Sequence, residues 1–397
     1  MSETKKANFY RYSTCLYYFN KFFGLCAFHY NPSNRQFKES IPSIIYCLIL
    51  LGFMSLYCPY LIIQFLFVIK DTFDSNLAIY IGLFQAILQL GSVVSVQYLN
   101  IYYRKEIIEY LNQKVIFEHK INKTVSKIYR NKYFLKKASS VILVFIFKLL
   151  SNYGIMFVVA QQGASVVIDL LCYLLPIGIT TLTGCNFAME IVSLQYITSQ
   201  LNFALRELVD QINDVPKNTS SAQKMVLSCK ICDKLDEFSI LYSELNLNIA
   251  KLNKLETFTL LIYFCNKFIE LTVSAFFEYL SYVGLLKTLI TYEMIINGVI
   301  NDIFNGLELI MCIAYCDKLM EEVATTGKIL HEFPIHKVDD RLKESISQFS
   351  IQILQEKRSI SLCGLFNVDN TLLYSMISSM TSYLILLIQF QLQGIAL

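Results

Sequence analysis

The sequence predicts an all-α membrane protein of seven transmembrane helices, N-terminus inside, C-terminus outside, with helical extensions on the cytoplasmic side. Three observations carry this. Seven apolar stretches, about 41–69, 77–101, 138–160, 166–193, 258–286, 295–316 and 371–392, are each long enough to cross a hydrocarbon core, which takes roughly 20 residues. Lys and Arg gather in alternate connections: 6 before the first stretch, 10 in 102–137, 7 in 194–257 and 7 in 317–370, which is 30 of the 34 in the chain. Composition agrees, with 55% hydrophobic and only 16% charged residues, against about a quarter charged in a typical soluble domain.

The cationic connections belong inside by the positive-inside rule. Only Lys70 and Lys287 lie in connections on the other side, and Lys148 and Lys267 lie within stretches. Seven crossings from an inside start leave the C-terminus outside, the reverse of a G-protein-coupled receptor. Met1–Asn20 lacks a compact apolar core ending in a small-residue cleavage site, so the first span is expected to act as the membrane address. The net charge of +3 carries no nucleic-acid signal, because topology accounts for the basic connections.

All twelve cysteines fall in predicted spans or reducing segments, which argues against a disulfide framework. Cys229 and Cys232 form C-x-x-C without a second pair at zinc spacing, so core packing is favoured over metal. Asn122 and Asn218 match the glycosylation pattern but lie on the cytoplasmic side, where they stay unmodified. The outer connections, about 70–76, 161–165 and 287–294, are short, so a small-molecule site must lie inside the bundle and open outward.

Within the cytoplasmic parts, Cys232, Leu235, Phe238, Tyr242, Leu245, Ile249, Leu252 and Glu256 follow at spacings of three and four. This is a heptad-like seam with one lapse, Glu256, running into the fifth span. It reads as a cytoplasmic packing layer or, more sharply, as a subunit-assembly platform. A second amphipathic helix is expected over 341–360, with Leu342, Ile346, Phe349, Ile353 and Ile360 near one face. Pro216 and Pro334 mark turns.

In the last span, at about 100° per residue, Ser375, Ser378, Ser382, Gln389 and Gln393 form one narrow stripe on an otherwise aliphatic helix. Lipid offers that stripe no partners, so it faces protein or water. A serine-lined helix contact is one reading; a pore built by several copies is the other. The run Ser382-Tyr383, five aliphatics, Gln389-Phe390 resembles the Thr-Tyr-(five hydrophobics)-Gln-Phe ending of insect gustatory receptors, with Ser for the usual Thr. Upstream, Gly364-Leu-Phe-Asn-Val-Asp369 followed by Leu372-Leu373 is similar to the run preceding it there. The resemblance is specific over roughly 360–392.

That resemblance implies a tetrameric, tastant-gated, non-selective cation channel in the plasma membrane of sensory neurons, embedded in lipid, as a homo- or hetero-tetramer with other gustatory receptors. It divides the single domain 1–397 into a ligand-binding bundle 41–316 (including the extensions 194–257), a cytoplasmic anchor 317–370 and a pore-lining helix 371–392. Pore and gate then fall to Ser375, Ser378, Ser382, Tyr383, Leu386, Gln389 and Phe390. Sugar-sensing members tend to carry Glu just after the Tyr, where this chain has Leu384, and Trp is absent; bitter or deterrent compounds are expected instead.

Polar residues in the outer halves of the spans outline the pocket: Gln64, Gln85, Asn152, Tyr153, Asp169, Glu278, Asn301, Asp302 and Asn305. Such groups are costly in a membrane and usually face the bundle interior, although several could instead bond neighbouring helices. Lys148, Lys267, Glu270 and Glu308 lie deeper, and Lys267 and Glu270 are spaced to pair on one helix face. No enzyme is expected, since P-loop, H-E-x-x-H and G-x-S-x-G motifs are all missing, and no cofactor or metal is implied. The alternatives are an insect odorant receptor of the same architecture and, from another class, a transporter, whose broken inverted repeats are not evident around Pro59 and Pro176. The charge pattern makes a direct prediction. An epitope after Leu397 is labelled on intact cells, whereas one near Lys123 needs permeabilisation; reversed labelling sinks the orientation and the channel reading together.

Overall fold

The computed structural model describes residues 16–31, 36–72, 75–125, 131–160, 166–215, 220–284, 292–334, 339–356 and 359–396. A short helix, α1 (16–22), leads into an antiparallel hairpin of β1 (Phe28–Asn31) and β2 (Gln36–Glu39), with Phe28 opposite Glu39. Then come α2 (Ile41–Thr72), α3 (Asn76–Tyr102), α4 (Arg104–Thr124), α5 (Asn131–Ala160), α6 (Val166–Asn213), α7 (Ser221–Tyr282) and α8 (Tyr292–His331). The chain ends with α9 (Asp340–Gln355), a hairpin of β3 (Ser361–Leu362) and β4 (Phe366–Asn367), and α10 (Asn370–Ala396).

Each of the seven apolar stretches lies largely within its own long helix. By length and composition, five helical segments among the described residues suffice to cross a membrane: Asn76–Tyr102, Leu175–Asn213, Ser221–Tyr282, Ile296–His331 and Asn370–Gln393; the apolar run Ile41–Tyr57 is shorter. The bundle wears its apolar surface outward. Ile49, Leu56, Phe84, Phe147, Leu150 and Ile303 are exposed along its sides, as expected where lipid rather than water is the solvent. Helix α6 is the central post, with 78% of its most apolar window buried against 11% in α10.

At 1.5 Å per residue, the 62 residues of α7 span about 90 Å, three times a hydrocarbon core. Ser220 opens it with a capping box, accepting from Gln223 N at 3.3 Å while its own N–H donates to the Gln223 side chain at 3.4 Å. The seam of α7 is filled by the chain itself. Leu245 and Ile249 are fully buried, Tyr242 meets Phe349 of α9 edge-on at 5.7 Å, and Ser243 and Asn246 donate to Glu356 at 2.6 and 3.0 Å. Cys232 of the C-x-x-C lies 3.0 Å from Ser345 of α9. The seam is therefore intrachain packing, and what α7 leaves exposed here is the opposite strip bearing Ile240 and Leu247.

Two expectations shift. The chain is not purely α, because two small hairpins are present. The amphipathic helix stops at Gln355, capped at its start by Asp339, which accepts from Leu342 N at 3.1 Å; Ile360 lies beyond it yet is buried. The Gly364-Leu-Phe-Asn-Val-Asp369 run supplies part of the turn and the second strand of the second hairpin. Cys363 and Gly364 turn the chain at φ 51° and 73°, conformations that glycine tolerates best. Asn253 and Thr257 of α7 clip the hairpin, accepting from Ser361 N at 2.9 Å and Cys363 N at 2.7 Å. Asp369 then accepts from the Thr371 and Leu372 N–H groups at 2.9 and 3.2 Å, fixing where α10 begins.

Because Leu245 is enclosed within one chain, Leu245→Asp buries a carboxylate without a partner and costs several kcal/mol, about the penalty for an unpaired polar group. The variant is expected to lose folded, surface-expressed protein, whereas Ile240→Asp on the exposed strip stays folded. Size-exclusion profiles of both in detergent check this, and a monodisperse Leu245→Asp peak overturns it.

Candidate ligand site and pore helix

Deep in the bundle, four charged side chains meet from three helices. Lys148 of α5 pairs with Glu308 of α8, and Lys267 of α7 lies 2.8 Å from Glu270 and 3.8 Å from Glu308. Asn305 closes the network, accepting from Lys267 Nζ at 2.7 Å and donating to Glu270 at 3.1 Å. Two ammonium and two carboxylate groups cancel, which is how ionised groups are tolerated away from water. Gly184 of α6 makes room: a Cβ there would press on the Glu308 carboxylate and stand 2.6 Å from the Tyr263 hydroxyl.

One turn further along α8 lies a second polar group of residues. Asn152 donates to Lys148 O at 2.8 Å and to Asn301 Oδ1 at 3.0 Å. Beside them, Asp302 Oδ1, Glu278 Oε1, Ser151 Oγ and Ser281 Oγ are buried atoms with no hydrogen-bond partner among the described residues. Buried polar atoms are paired in the great majority of cases, so these oxygens make this group the candidate ligand site. Of the sequence-expected pocket residues, Asn152, Asn301, Asp302, Asn305 and Glu278 come together on α5, α7 and α8. Asn305 belongs to the charge network. Gln85, on α3, joins none of these bonds. Gln64, Tyr153 and Asp169 sit on helical backbone, with side chains outside the described residues. Ser151 and Ser281 were not singled out by sequence, since a serine in an apolar helix is unremarkable until its neighbours are known.

The final helix is two-faced. Leu372, Leu373, Met376 and Met380 pack on the main core, and Leu384, Leu387 and Ile388 pack beside Phe276 and Leu280 of α7. At about 100° per residue, the serine stripe lies roughly half a turn from that face. Ser375, Ser378, Ser382, Leu386, Gln389 and Phe390 are all exposed. Ser375 and Ser382 donate to the carbonyls of Thr371 and Ser378 at 2.9 and 3.0 Å, four residues back. Tyr383 is exposed but flanks the packed side, edge-on to Phe268 at 6.0 Å. Gln391, unremarked in the sequence, is buried and accepts from Ser75 at 2.5 Å, tying α10 to the start of α3.

Residues 14–394 match the 7tm chemosensory receptor family. The chain belongs to that family. Among curated relatives from Drosophila melanogaster, the "Gustatory receptor for bitter taste 93a" is 23% identical over 172 residues, 43% of this chain and 40% of that one. The "Gustatory receptor for sugar taste 43a" is 34% identical over 88 residues, 22% of this chain and 21% of that one. The matches thus span less than half the length of these relatives. The insect olfactory receptor OR5 from Machilis hrabei, solved in complex with eugenol, superposes with a TM-score of 0.66 at 12% identity, covering 96% of this chain and all of that one. The chemosensory receptor fold therefore extends over nearly the whole chain.

The network should govern stability. Glu308→Gln leaves Lys148 without its carboxylate, and removing one partner of a buried pair costs ~3–5 kcal/mol. A clearly lower thermal midpoint is expected in detergent, with most of it recovered by combining Glu308→Leu with Lys148→Leu. An unchanged midpoint for the single variant contradicts the pairing.

Proposed function

We propose that this chemosensory receptor is a tastant-gated, non-selective cation channel of the plasma membrane of sensory neurons. The seven long helices cross the membrane from an inside N-terminus to an outside C-terminus, and four copies, alike or mixed with other gustatory receptors, place their last helices around a central pore. The single observation that supports this best is the polar stripe of α10. Ser375, Ser378, Ser382 and Gln389 all point away from the chain's own core, so one chain gives them neither protein nor enclosed water. Several copies around an axis supply both. The exposed strip of Ile240 and Leu247 on α7, spaced one heptad apart, offers a cytoplasmic contact for the same assembly.

The ligand is a small molecule bound in the outer cluster of Asp302, Glu278, Asn301 and Asn152, where unpartnered oxygens await donors. Bitter or deterrent compounds are the preferred class, resting on Leu384 where sugar-sensing members tend to carry Glu. Curated relatives carry both taste classes in their names, so the ligand class rests on sequence features rather than on those relatives.

Gating follows from the wheel of α10. Leu386 and Phe390 lie on one flank of the stripe, about 60° and 100° from Gln389. A modest rotation exchanges Gln389 for Phe390 at the axis, and apolar side chains there close a pore by dewetting. Ligand opens it by binding the rotated arrangement more tightly. Whole-cell recording against a tastant panel, with the chain alone and with candidate co-receptors, tests the reading. Phe390→Ala is expected to pass current without ligand, and Gln389→Ala to change conductance or ion selectivity. A surface-expressed Phe390→Ala that stays silent, with a leak at an Asp302 variant instead, places the gate elsewhere.

A further inference from the structure

A cavity of about 210 Å³ lies apart from the outer cluster, enclosed by the described start of the chain, α4, α6 and α7. Much of its wall is aromatic. Tyr30 and Phe37, from the two strands of the first hairpin, lie 4.9 Å apart, and Tyr17 sits 5.9 Å from Tyr30. The Tyr17 hydroxyl is locked, accepting from Tyr30 N at 3.1 Å and donating to Phe28 O at 3.3 Å.

Among the described residues, the charged groups of the wall are paired, with one exception. Lys114 Nζ lies 2.5 Å from Glu190, which also accepts from Tyr110 at 3.1 Å. Glu118 accepts from Ser193 at 3.4 Å, and the Asn20 and Asn186 amides bond each other at 2.7 and 2.8 Å. Glu256 stands out. It is partly buried and lines the cavity, and no hydrogen bond or ion pair reaches it among the described residues. It is also the residue that breaks the apolar seam of α7 where an aliphatic side chain would continue it. Burial, with the Glu190 carboxylate nearby, pushes its carboxyl up to about 7. Three carboxyl groups thus share the wall with a single ammonium, Lys114, which Glu190 already engages.

We propose that this cavity binds a small protonated aromatic monoamine, its ring among Tyr17, Tyr30 and Phe37 and its ammonium paired with Glu256. Aromatic faces and a carboxylate together are the recognised complement of an ammonium. An anion would meet the excess of negative charge, and a neutral guest would leave Glu256 unpaired. The volume is below the roughly 300 Å³ of drug-sized pockets, which limits the guest to one or two fused rings with a short chain.

The test uses the full chain in lipid nanodiscs and reads binding by calorimetry, so it does not depend on channel activity. Three probes of similar size differ in charge: tryptamine, indole-3-ethanol and indole-3-acetate. Tryptamine is expected to bind saturably at pH 8, at least tenfold more tightly than the other two. The other titratable side chains lining the cavity are Lys114, Glu118, Glu190, Tyr17, Tyr30, Tyr110 and Cys26. Pairing needs ionised Glu256 while an alkylamine stays protonated, so tryptamine affinity should fall about tenfold from pH 8 to pH 6. Glu256→Gln should abolish both the tryptamine preference and its pH dependence, while Glu256→Asp retains them. If Glu256→Gln does not fold, the wild-type pH series decides. Tryptamine binding that is absent, independent of pH, or no tighter than that of indole-3-ethanol overturns the proposal.

Discussion

The arrangement depends on the neutral cluster of Lys148, Lys267, Glu270 and Glu308. Each of these charges lies in a helix whose surroundings are apolar, and none is tolerable alone. Bringing them together fixes α5, α7 and α8 at one level, because a one-residue shift of any helix would rotate its charge by about 100° and strand the others. Apolar side chains can slide past one another at modest cost, whereas this cluster sets register. Gly184 adds α6 to the set by leaving the space that Glu308 and Tyr263 occupy. Asn152 and Asn301, bonded one turn above, inherit their positions from it, and so do the unpartnered oxygens of Asp302 and Glu278.

A second constraint acts at the other side of α7. The last helix is held by one apolar face, by Asp369 at its start and by the Ser75–Gln391 hydrogen bond near its end, and the face bearing the serine stripe is bare. Ser375 and Ser382 satisfy their hydroxyls on their own backbone, so the stripe tolerates alternating environments without stranded donors. In the proposed gating, it is this bare, self-satisfied face that turns at the pore axis.

Much of this was legible in the sequence, for definite reasons. Long apolar stretches and the placing of cations reflect the solvent, which acts on each residue separately, so the seven helices and the two-faced α10 could be read without tertiary information. The capping of α10 by the Asp369 run was marked by a motif. What escaped required knowing neighbours. The Lys148–Glu308 pair joins residues 160 apart, and nothing in one helix names its partner in another. The seam of α7 showed that an apolar face must be covered but not by what; α9 of the same chain covers it. The first hairpin escaped because four-residue strands put only two side chains on each face, too few for a period of two to stand out. In the pocket, sequence found the ionisable groups, whose cost in a membrane is conspicuous, and passed over the serines, whose cost is small.

Helix α7 is the element that the candidate ligand cluster and the last helix share. Lys267, Glu270, Ser274, Glu278 and Ser281 fall on one side of it at about 100° per residue, towards α8 and the polar cluster. Phe268, Phe276 and Leu280 fall roughly opposite and meet α10. Under the proposed function, ligand in the outer cluster engages Glu278 and Asp302 and so bears on the angle of α7. Because α7 is one unbroken helix through this region, its two faces turn together. Its contact with α10 is apolar, whereas its contact with α8 carries the Lys267–Glu308 pair and the Asn305 hydrogen bonds. That asymmetry gives a physical reason why occupancy between α5, α7 and α8 would be felt at Leu384, Leu387 and Ile388, the packed residues on the opposite side of α10 from Gln389.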